Sequence, residues 1–293
     1  MTATVIAAKA IATVTIRSNS PYLKRNLRGL PIGKPLFKSG EKMQTKTFEL
    51  SYTKTADNNA SVGVIIVAAG SASRMGGVNK ILTPICQKPV ICHTINAFNQ
   101  NPLVADIVLV TREDMVLTLQ KLSNDYGFLK VTDVIVGGEC REASVKLGFE
   151  RLEKNKAIKT VLIHDGARPL VSGDVINRVI NAAEEFSAAV PAVPVKDTIK
   201  KVGALGKVEQ TVDRASLVNI QTPQGFSTSL FKSAIQQVGD NLAVFTDDAS
   251  IAEAANYPVY TVMGDYKNIK ITTPEDIILA DAYFKAMEGE QCE

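Results

Sequence analysis

The chain has no tryptophan, only two histidines and four cysteines, and aromatic residues make up 6% of its 293 residues. The cysteines show no CxxC spacing and no nearby histidine pair, so neither a disulfide framework nor a structural zinc site is expected. No apolar run approaches the roughly 20 residues that a membrane-spanning helix needs. Because 45% of the residues are hydrophobic, the chain can bury a large core, and we expect a soluble globular protein.

Acidic residues are absent from the first forty positions. Residues 1–60 hold ten Lys and Arg against three Asp and Glu, whereas the rest of the chain is mildly acidic. A basic, hydroxyl-rich, acid-free N-terminus is typical of an organellar transit peptide. We therefore expect residues 1–60 to be a disordered leader, with a bacterial extension or a misassigned start as the alternatives. Nucleic-acid binding is not expected, because the remaining folded part is slightly acidic.

From residue 61 onward, apolar runs alternate with helical patterns. The runs predict strands at Val62–Ala69, Asp106–Thr111, Val131–Val136, Thr160–His164 and Ala188–Val195. Helices are predicted near 89–100, 113–125, 141–154 and 173–186, the last with Ser172 as its N-cap. Strands that are apolar on both faces and alternate with helices indicate an α/β fold, a doubly wound and mostly parallel sheet.

The pattern changes at about residues 196–215, where two polar β-prone segments flank the sequence GALG. This stretch predicts a protruding β-hairpin arm, too polar to be buried by itself. Beyond it we expect a strand at 217–221, helices near 228–238 and 247–255, and strands at 258–263 and 268–272. A last helix begins at TTPED, with Thr273 as cap and Pro274 in the first position.

The sequence VIIVAAGSASRMGGVNK, residues 64–80, places a loop of small residues directly after the first predicted strand. Such a loop can bring backbone N–H groups close to a phosphate, with Arg74 and Lys80 adding positive charge. It matches neither GxGxxG nor GxxxxGK[ST], so a simple tight turn stays an alternative.

A second polar group follows a buried strand in LIHDGARPLVS, residues 162–172. An aspartate at the carboxyl end of a strand suits Mg²⁺ held by one carboxylate together with substrate oxygens, which points to Asp165. The alternative is a turn or helix cap, a common position for aspartate. No Ser–His–Asp arrangement or carboxylate pair is apparent, so we expect no protein nucleophile.

Taken in order, the motifs AAGxxxRM…K, GGxxRxxSV, HDGARP, PVKDTIK, TVDR, TPQ, TDDAS and NIKITTPED resemble the 2-C-methyl-D-erythritol 4-phosphate cytidylyltransferase family. The resemblance runs from about residue 62 to 288 and leaves the leader outside. It implies transfer of CMP from CTP to methylerythritol 4-phosphate, giving 4-diphosphocytidyl-2-C-methyl-D-erythritol and pyrophosphate in isoprenoid precursor biosynthesis. It also implies Mg²⁺ as cofactor and a homodimer in which the hairpin arm crosses to the partner subunit.

The resemblance assigns roles to residues of this sequence. Arg74 and Lys80 are implied to stabilise the charge that develops on the triphosphate, and Asp165 to hold Mg²⁺. The residues implied to contact CTP are Ala68, Ala69, Gly70, Ala72, Gly138 and Ser144, the last two selecting cytosine. Those implied to hold the sugar phosphate are Arg168, Thr198, Arg214 and Lys270.

Two departures from the family pattern are Ala72, where glycine is usual, and Ile81, where glutamine is usual. They keep open a non-catalytic CTP-binding homologue, and shared CTP motifs keep open a cytidylyltransferase for ribitol 5-phosphate. A nucleotidyltransferase for sugar 1-phosphates fits less well, because its loop is typically longer and richer in glycine. If the leader is a transit peptide, the plastid stroma is the expected location, with a bacterial cytoplasm as the alternative.

Overall fold

The computed structural model describes residues 11–15, 47–51, 60–70 and 79–289, with side chains for 60–70 and 79–287. The chain divides into two compact units, Met1–Asn58 and Asn59–Glu293. In the first unit, strands β1 (Ile11–Thr15) and β2 (Thr47–Ser51) pair antiparallel. The Ile, Val, Thr and Phe residues among these ten favour strands, while the disordered leader expected for residues 1–60 stays a prediction. The transit-peptide interpretation stays a prediction.

The second unit is built on a mixed, mostly parallel sheet. Its strands are β3 (Val62–Ala68), β6 (Val104–Thr111), β7 (Val131–Val136), β8 (Thr160–Asp165), β9 (Ala188–Pro194), β12 (Val218–Ile220), β13 (Gln224–Ser227) and β14 (Tyr260–Met263). They are ordered β12-β9-β13-β8-β3-β6-β7, and β14 pairs with β9. Strands β8, β3, β6 and β7 are mutually parallel, whereas β13 runs antiparallel to both β8 and β9.

Helices cover both faces of this sheet. They are α1 (Val90–Asn99), α2 (Val116–Asp125), α3 (Arg141–Leu152), α4 (Gly173–Phe186), α5 (Thr228–Val238), α6 (Asp248–Ala254) and α7 (Pro274–Gly289). Successive residues of β3 point to opposite faces: Val64 and Ile66 pack with α1 and α4, and Ile65 packs with α3 and α5. The doubly wound α/β class predicted from the sequence is confirmed. Among the helices of the described residues, none is both long and apolar enough to cross a membrane.

Several local predictions can be compared with the structure. Ser172 caps α4 by accepting a hydrogen bond from the Val175 N–H, and α7 begins at Pro274. The predicted strand at 268–272 is wrong, because this segment bonds to a loop rather than to the sheet: the Ile271 N–H donates to the Ala167 carbonyl at 2.8 Å. Strand β13 was not predicted, since four residues that include a glycine show no clear alternation.

Two hairpins lie apart from the main sheet. A short one joins β4 (Pro84–Ile85) to β5 (Lys88–Pro89), and the other joins β10 (Ile199–Val202) to β11 (Val208–Val212). The second hairpin, called the arm below, forms its own two-stranded sheet with almost entirely exposed side chains. Its turn passes through left-handed backbone at Leu205 and Gly206.

Candidate active site

The carboxyl ends of β3 and β8 meet the loop after β7 around a cavity of about 350 Å³. In an open α/β sheet this edge is where ligands bind. Eight residues proposed from the sequence line the cavity: Ala68, Ala69, Gly70, Lys80, Gly138, Ser144, Asp165 and Lys270. Residues up to 200 positions apart in the sequence are thereby brought to one place.

The other predicted site residues lie elsewhere. Arg74 and Ala72 fall outside the described residues. Arg168 is mostly buried beside the cavity and contacts Asp165. Thr198 and Arg214 are exposed near the arm and are not part of the cavity wall. Arg214 donates through Nη1 to the Lys196 carbonyl at 2.6 Å, which ties the two ends of the arm together.

The carboxylate of Asp165 contacts three positively charged side chains. Its Oδ1 lies 3.3 Å from Arg141 Nε, and its Oδ2 lies 3.0 Å from Lys270 Nζ and 3.3 Å from Arg168 Nε. Burial would raise the pKa of this carboxyl, but the three cations hold the pKa well below its usual range. Asp165 is therefore a carboxylate at any physiological pH.

A buried histidine, His164, holds the end of the strand that carries Asp165. His164 donates through Nε2 to the Arg168 carbonyl at 3.1 Å, since a carbonyl can only accept. Its Nδ1 accepts from the Thr222 hydroxyl at 3.0 Å, and that hydroxyl accepts the Asp165 N–H at 3.2 Å. Burial lowers the pKa of His164 to about 4, so the ring is neutral. It orients the backbone at the end of β8 and is too enclosed to touch a substrate.

The segment that carries Lys270 is fastened to the loop after β8. The Arg168 guanidinium donates through Nη1 to the Asn268 carbonyl at 2.8 Å, two residues before Lys270. The Asn268 side chain, fully buried, donates to the Thr222 carbonyl at 2.8 Å. These bonds hold Lys270 against Asp165, although the segment joins no strand.

The loop after β7 is shaped by Ser144, in the first turn of α3. The Ser144 hydroxyl accepts the Gly138 N–H at 3.0 Å and donates to the Cys140 carbonyl at 2.9 Å. A side chain at Gly137 would come within 2.6 Å of this hydroxyl, and one at Gly138 within 2.7 Å of the Ala143 side chain. The two glycines are thus required by close packing.

Arg141 is the residue of the site that sequence reasoning missed. It begins α3, lines the cavity, and places Nη2 2.8 Å from Oδ2 of the fully buried Asp248. Burial lowers the pKa of Arg141, but its carboxylate partners, led by Asp248, raise that pKa above the usual range. The signal was present in the GGxxRxxSV and TDDAS motifs, although no role was assigned to either residue.

The TDDAS motif also has a structural function. Asp247 accepts the Ser250 N–H at 3.0 Å and forms a capping box at the start of α6. Gln224 of β13 donates to Asp247 at 2.8 Å and accepts the Ala249 N–H at 2.8 Å. The cap fixes the start of α6, and with it Asp248.

Lys80 and Ile81 stand side by side at the entrance to α1. Both residues line the cavity, and the Ile81 side chain, which is only 5% exposed, also packs in the core. The Ile81 carbonyl accepts the Ile91 N–H at 2.9 Å. The apolar residue that departs from the family pattern is therefore compatible with the fold and leaves the lysine in place.

The donor set of the cavity suits a cation shared with a ligand. Within the described part of the chain, no group of three or more His, Cys, Asp and Glu side chains forms a metal cluster. Mg²⁺ is commonly held by one or two carboxylates together with substrate phosphates, so Asp165 fits this type of site.

The comparison with known proteins agrees with this geometry. The family model of 2-C-methyl-D-erythritol 4-phosphate cytidylyltransferase matches residues 62–286. The chain belongs to the 2-C-methyl-D-erythritol 4-phosphate cytidylyltransferase family. It is a cytidylyltransferase, one kind of nucleotidyltransferase, and the fold class and activity expected from the sequence are confirmed at this level.

Bacterial relatives extend over the same part of the chain. The family enzyme of Dehalococcoides mccartyi strain 195 is 42% identical over 227 residues, covering 78% of this chain and 97% of the relative. That of Alkaliphilus metalliredigens is 42% identical over 237 residues, covering 80% and 98%. The crystal structure of 4-diphosphocytidyl-2C-methyl-D-erythritol synthase from Anaerococcus prevotii has a TM-score of 0.66 at 31% identity, covering 76% and 98%.

Proposed function

We propose that this cytidylyltransferase joins CTP to 2-C-methyl-D-erythritol 4-phosphate in the cavity around Asp165. A phosphate oxygen of the sugar phosphate attacks the α-phosphorus of CTP, the bond to the β-phosphate oxygen breaks, and pyrophosphate leaves. The observation that carries the proposal is the set of Asp165, Lys270 and Arg168 at the carboxyl edge of the sheet, in a member of this family. Such a transfer needs alignment and charge stabilisation more than a protein nucleophile.

The triphosphate occupies the side of the cavity formed by the end of β3. Backbone N–H groups of Ala69 and Gly70 face the phosphates, and Lys80, with Arg74 in the loop beyond, balances the charge that develops during transfer. Supporting this arrangement, Ala68, Ala69, Gly70 and Lys80 share one cavity with Asp165. Asp165 would hold Mg²⁺ there, and the cation would supply further positive charge beside the phosphates.

The cytosine lies against the loop after β7. The Ser144 hydroxyl donates its proton to the Cys140 carbonyl and accepts the Gly138 N–H with one lone pair. We therefore assign Ser144 the task of shaping the loop that reads the base, with its second lone pair left for a cytosine donor. Gly138 brings its backbone close to the base because no side chain fits there.

The sugar phosphate is held by residues from two subunits. Lys270 lines the cavity of its own chain and Arg168 contacts Asp165 beside it, whereas Thr198 and Arg214 lie exposed near the arm. A homodimer in which the arm reaches the partner's cavity brings the four residues together. The exposed apolar side chains of the arm, Val202, Leu205 and Val208, support a surface that another subunit covers.

We also propose that the leader, residues 1–60, directs the protein to a plastid. Supporting it, the family match begins only at residue 62, and the bacterial relatives are covered over 97% to 98% of their length without the leader. Residues 1–60 fused to a fluorescent protein are expected to direct it to plastids in plant cells. Diffuse fluorescence would favour a bacterial cytoplasmic enzyme with an N-terminal extension.

Pyrophosphate release by the full chain tests the function. CTP and Mg²⁺ are held constant, and methylerythritol 4-phosphate is compared with ribitol 5-phosphate at equal concentrations. Strong preference for the first is expected. Preference for ribitol 5-phosphate would overturn the substrate, and CTP binding without turnover of either sugar phosphate would indicate a non-catalytic homologue.

A further inference from the structure

Arg141 is shared between two carboxylates in different parts of the chain. Its Nε contacts Asp165 Oδ1 at 3.3 Å, a long contact for a charged pair. Its Nη2 contacts Asp248 Oδ2 at 2.8 Å, an optimal distance. The guanidinium thus covers one oxygen of the carboxylate proposed to hold Mg²⁺, while its shorter bond is to a residue outside the cavity wall.

The bond to Asp248 is only half of the pair that an arginine and a carboxylate can form. Arg141 Nη1 and Asp248 Oδ1 are both buried, and neither has a hydrogen-bond partner within the described residues. Nη1 lies 3.7 Å from Oε1 of Glu142, beyond hydrogen-bond distance. One unused donor and one unused acceptor therefore lie on the two partners of the same ion pair.

We propose that Asp248 is a positioning residue that draws Arg141 away from Asp165 when a divalent cation enters with CTP. The guanidinium then makes two parallel bonds to Asp248, through Nη1 and Nη2, and Nε leaves Asp165 Oδ1. The freed oxygen becomes available to the cation. This inference rests on the proposed role of Asp165 in holding Mg²⁺.

Charge and rigidity both favour this exchange. A cation at Asp165 repels the Arg141 guanidinium, and Asp248 offers the arginine a second anion without leaving a buried charge unpaired. Asp248 is itself fixed, because it begins α6 directly after the capping box of Asp247 and Ser250. The receiving carboxylate is therefore in place before the ligand arrives.

Isothermal titration of CTP into the full-length protein, with Mg²⁺ and with EDTA, tests the proposal. The quantity compared is the ratio of the two affinities. In Asp248→Asn, Arg141 can bond to one oxygen only, because the amide nitrogen is a donor and cannot accept a bond from Nη1. We therefore expect the gain in CTP affinity that Mg²⁺ produces to fall about tenfold. Affinity for CTP in EDTA is expected to stay equal or to increase, because one anion is lost near the site.

Matched variants separate positioning from general effects. Asp240→Asn removes an exposed carboxylate that pairs with Lys146 on the surface and does not touch Arg141, so it is expected to keep the wild-type ratio. Asp248→Glu restores the carboxylate and should recover most of the gain. In activity assays, Asp248→Asn should need about tenfold more Mg²⁺ for half-maximal rate, with kcat at saturating Mg²⁺ within about twofold of wild type.

Two results would overturn the inference. In the first, Asp248→Asn weakens CTP binding equally with Mg²⁺ and with EDTA, or keeps the wild-type ratio as Asp240→Asn does, which indicates a purely structural role. In the second, Asp165→Asn keeps the full Mg²⁺-dependent gain, which removes the proposed metal role of Asp165 on which the inference depends. If Asp248→Asn fails to fold, Arg141→Lys is the second test, because an ammonium cannot make the two-bond pair and should lower the ratio similarly.

Discussion

The cavity edge and the arm are two regions of the same domain with opposite construction. Around Asp165, three cations meet one carboxylate, and a buried histidine fixes the end of the strand that carries it. The arm is a two-stranded ribbon whose side chains face outward, and Leu205 at its turn is fully exposed. The groups around Asp165 contact one another within one chain, whereas most side chains of the arm are exposed.

This contrast explains why the two regions should respond differently to substitution. At the cavity edge, removal of one group leaves others buried and unpaired, so the loss is larger than that of one bond. On the arm, removal of a side chain changes little within the chain itself. The predictions below test this difference, beginning with the largest expected effect.

Asp165→Asn is expected to lower kcat by about a thousandfold, because it removes the anion that gathers Arg141, Arg168 and Lys270. The steady-state rate of pyrophosphate release measures this loss. Asp240→Asn serves as control, since Asp240 is exposed and pairs with Lys146 on the surface, and it should keep the wild-type rate. A loss of less than tenfold in Asp165→Asn would show that the cavity does not depend on this carboxylate.

Acid is expected to destabilise the domain through His164. The pKa of this histidine is lowered to about 4 in the folded protein, against about 6.5 when unfolded, so the unfolded state binds the extra proton between these values. The contribution of neutral His164 to the free energy of unfolding is therefore fully present above about pH 6.5. It falls by about 2–3 kcal/mol on acidification to about pH 4.5.

Urea unfolding of wild type and His164→Gln at several pH values measures this dependence. In the glutamine variant, the free energy of unfolding should lose this part of its dependence on pH, although its value at neutral pH is also lower. His93→Gln changes the second histidine of the chain and should keep the slope. Equal slopes in wild type and His164→Gln would be evidence against a buried neutral histidine.

Arg214→Ala is expected to raise KM for methylerythritol 4-phosphate about tenfold, since a charged hydrogen bond to phosphate is lost, while the affinity for CTP is unchanged. Lys207→Ala, another cation of the arm, is the matched control and should have normal constants. Mixing the Arg214→Ala chain with a chain inactivated at Asp165 sharpens the test. If the arm serves the partner's cavity, mixed dimers regain one intact site, and activity exceeds that of either variant alone.

The smallest effect is expected at the tip of the arm. Leu205 has φ 59° and ψ 21°, a left-handed conformation that asparagine adopts more readily than leucine. Leu205→Asn should change the free energy of unfolding by less than about 0.5 kcal/mol. Thermal unfolding measures it, with the buried Leu162→Ala as comparison, for which about 2–5 kcal/mol is expected. A large loss in Leu205→Asn would mean that the arm tip packs against another part of the assembly.

The sequence predicted the framework of the domain better than its connections. Strands β3, β6, β7 and β8 were predictable because they are apolar on both faces and alternate with helices. The extended segment around Lys270 was mistaken for a strand because local β-preference does not reveal whether a hydrogen-bonding partner is another strand or a loop. Strand β13 was missed for the same reason, since its place between β8 and β9 is decided by contacts distant in the sequence.

The site shows a similar division. Asp165 and Lys80 could be proposed from their positions after strand ends and near a loop of small residues. Arg141 and Asp248 could not be paired in advance, because 107 positions separate them and Asp248 has an ordinary local interpretation at the start of a helix, where the dipole favours an anion. Burial of an arginine between two carboxylates becomes visible only when the fold is assembled.

Strand β13 has a consequence for the order in which the chain can fold during synthesis. Strands β8 and β9 leave the ribosome before residues 224–227, and in the finished sheet those residues pair with both. Until β13 arrives, facing edges of β8 and β9 are unpaired, and exposed strand edges are prone to association. The sheet therefore cannot be completed until residues 224–227 have been synthesised, after both of the strands that they join.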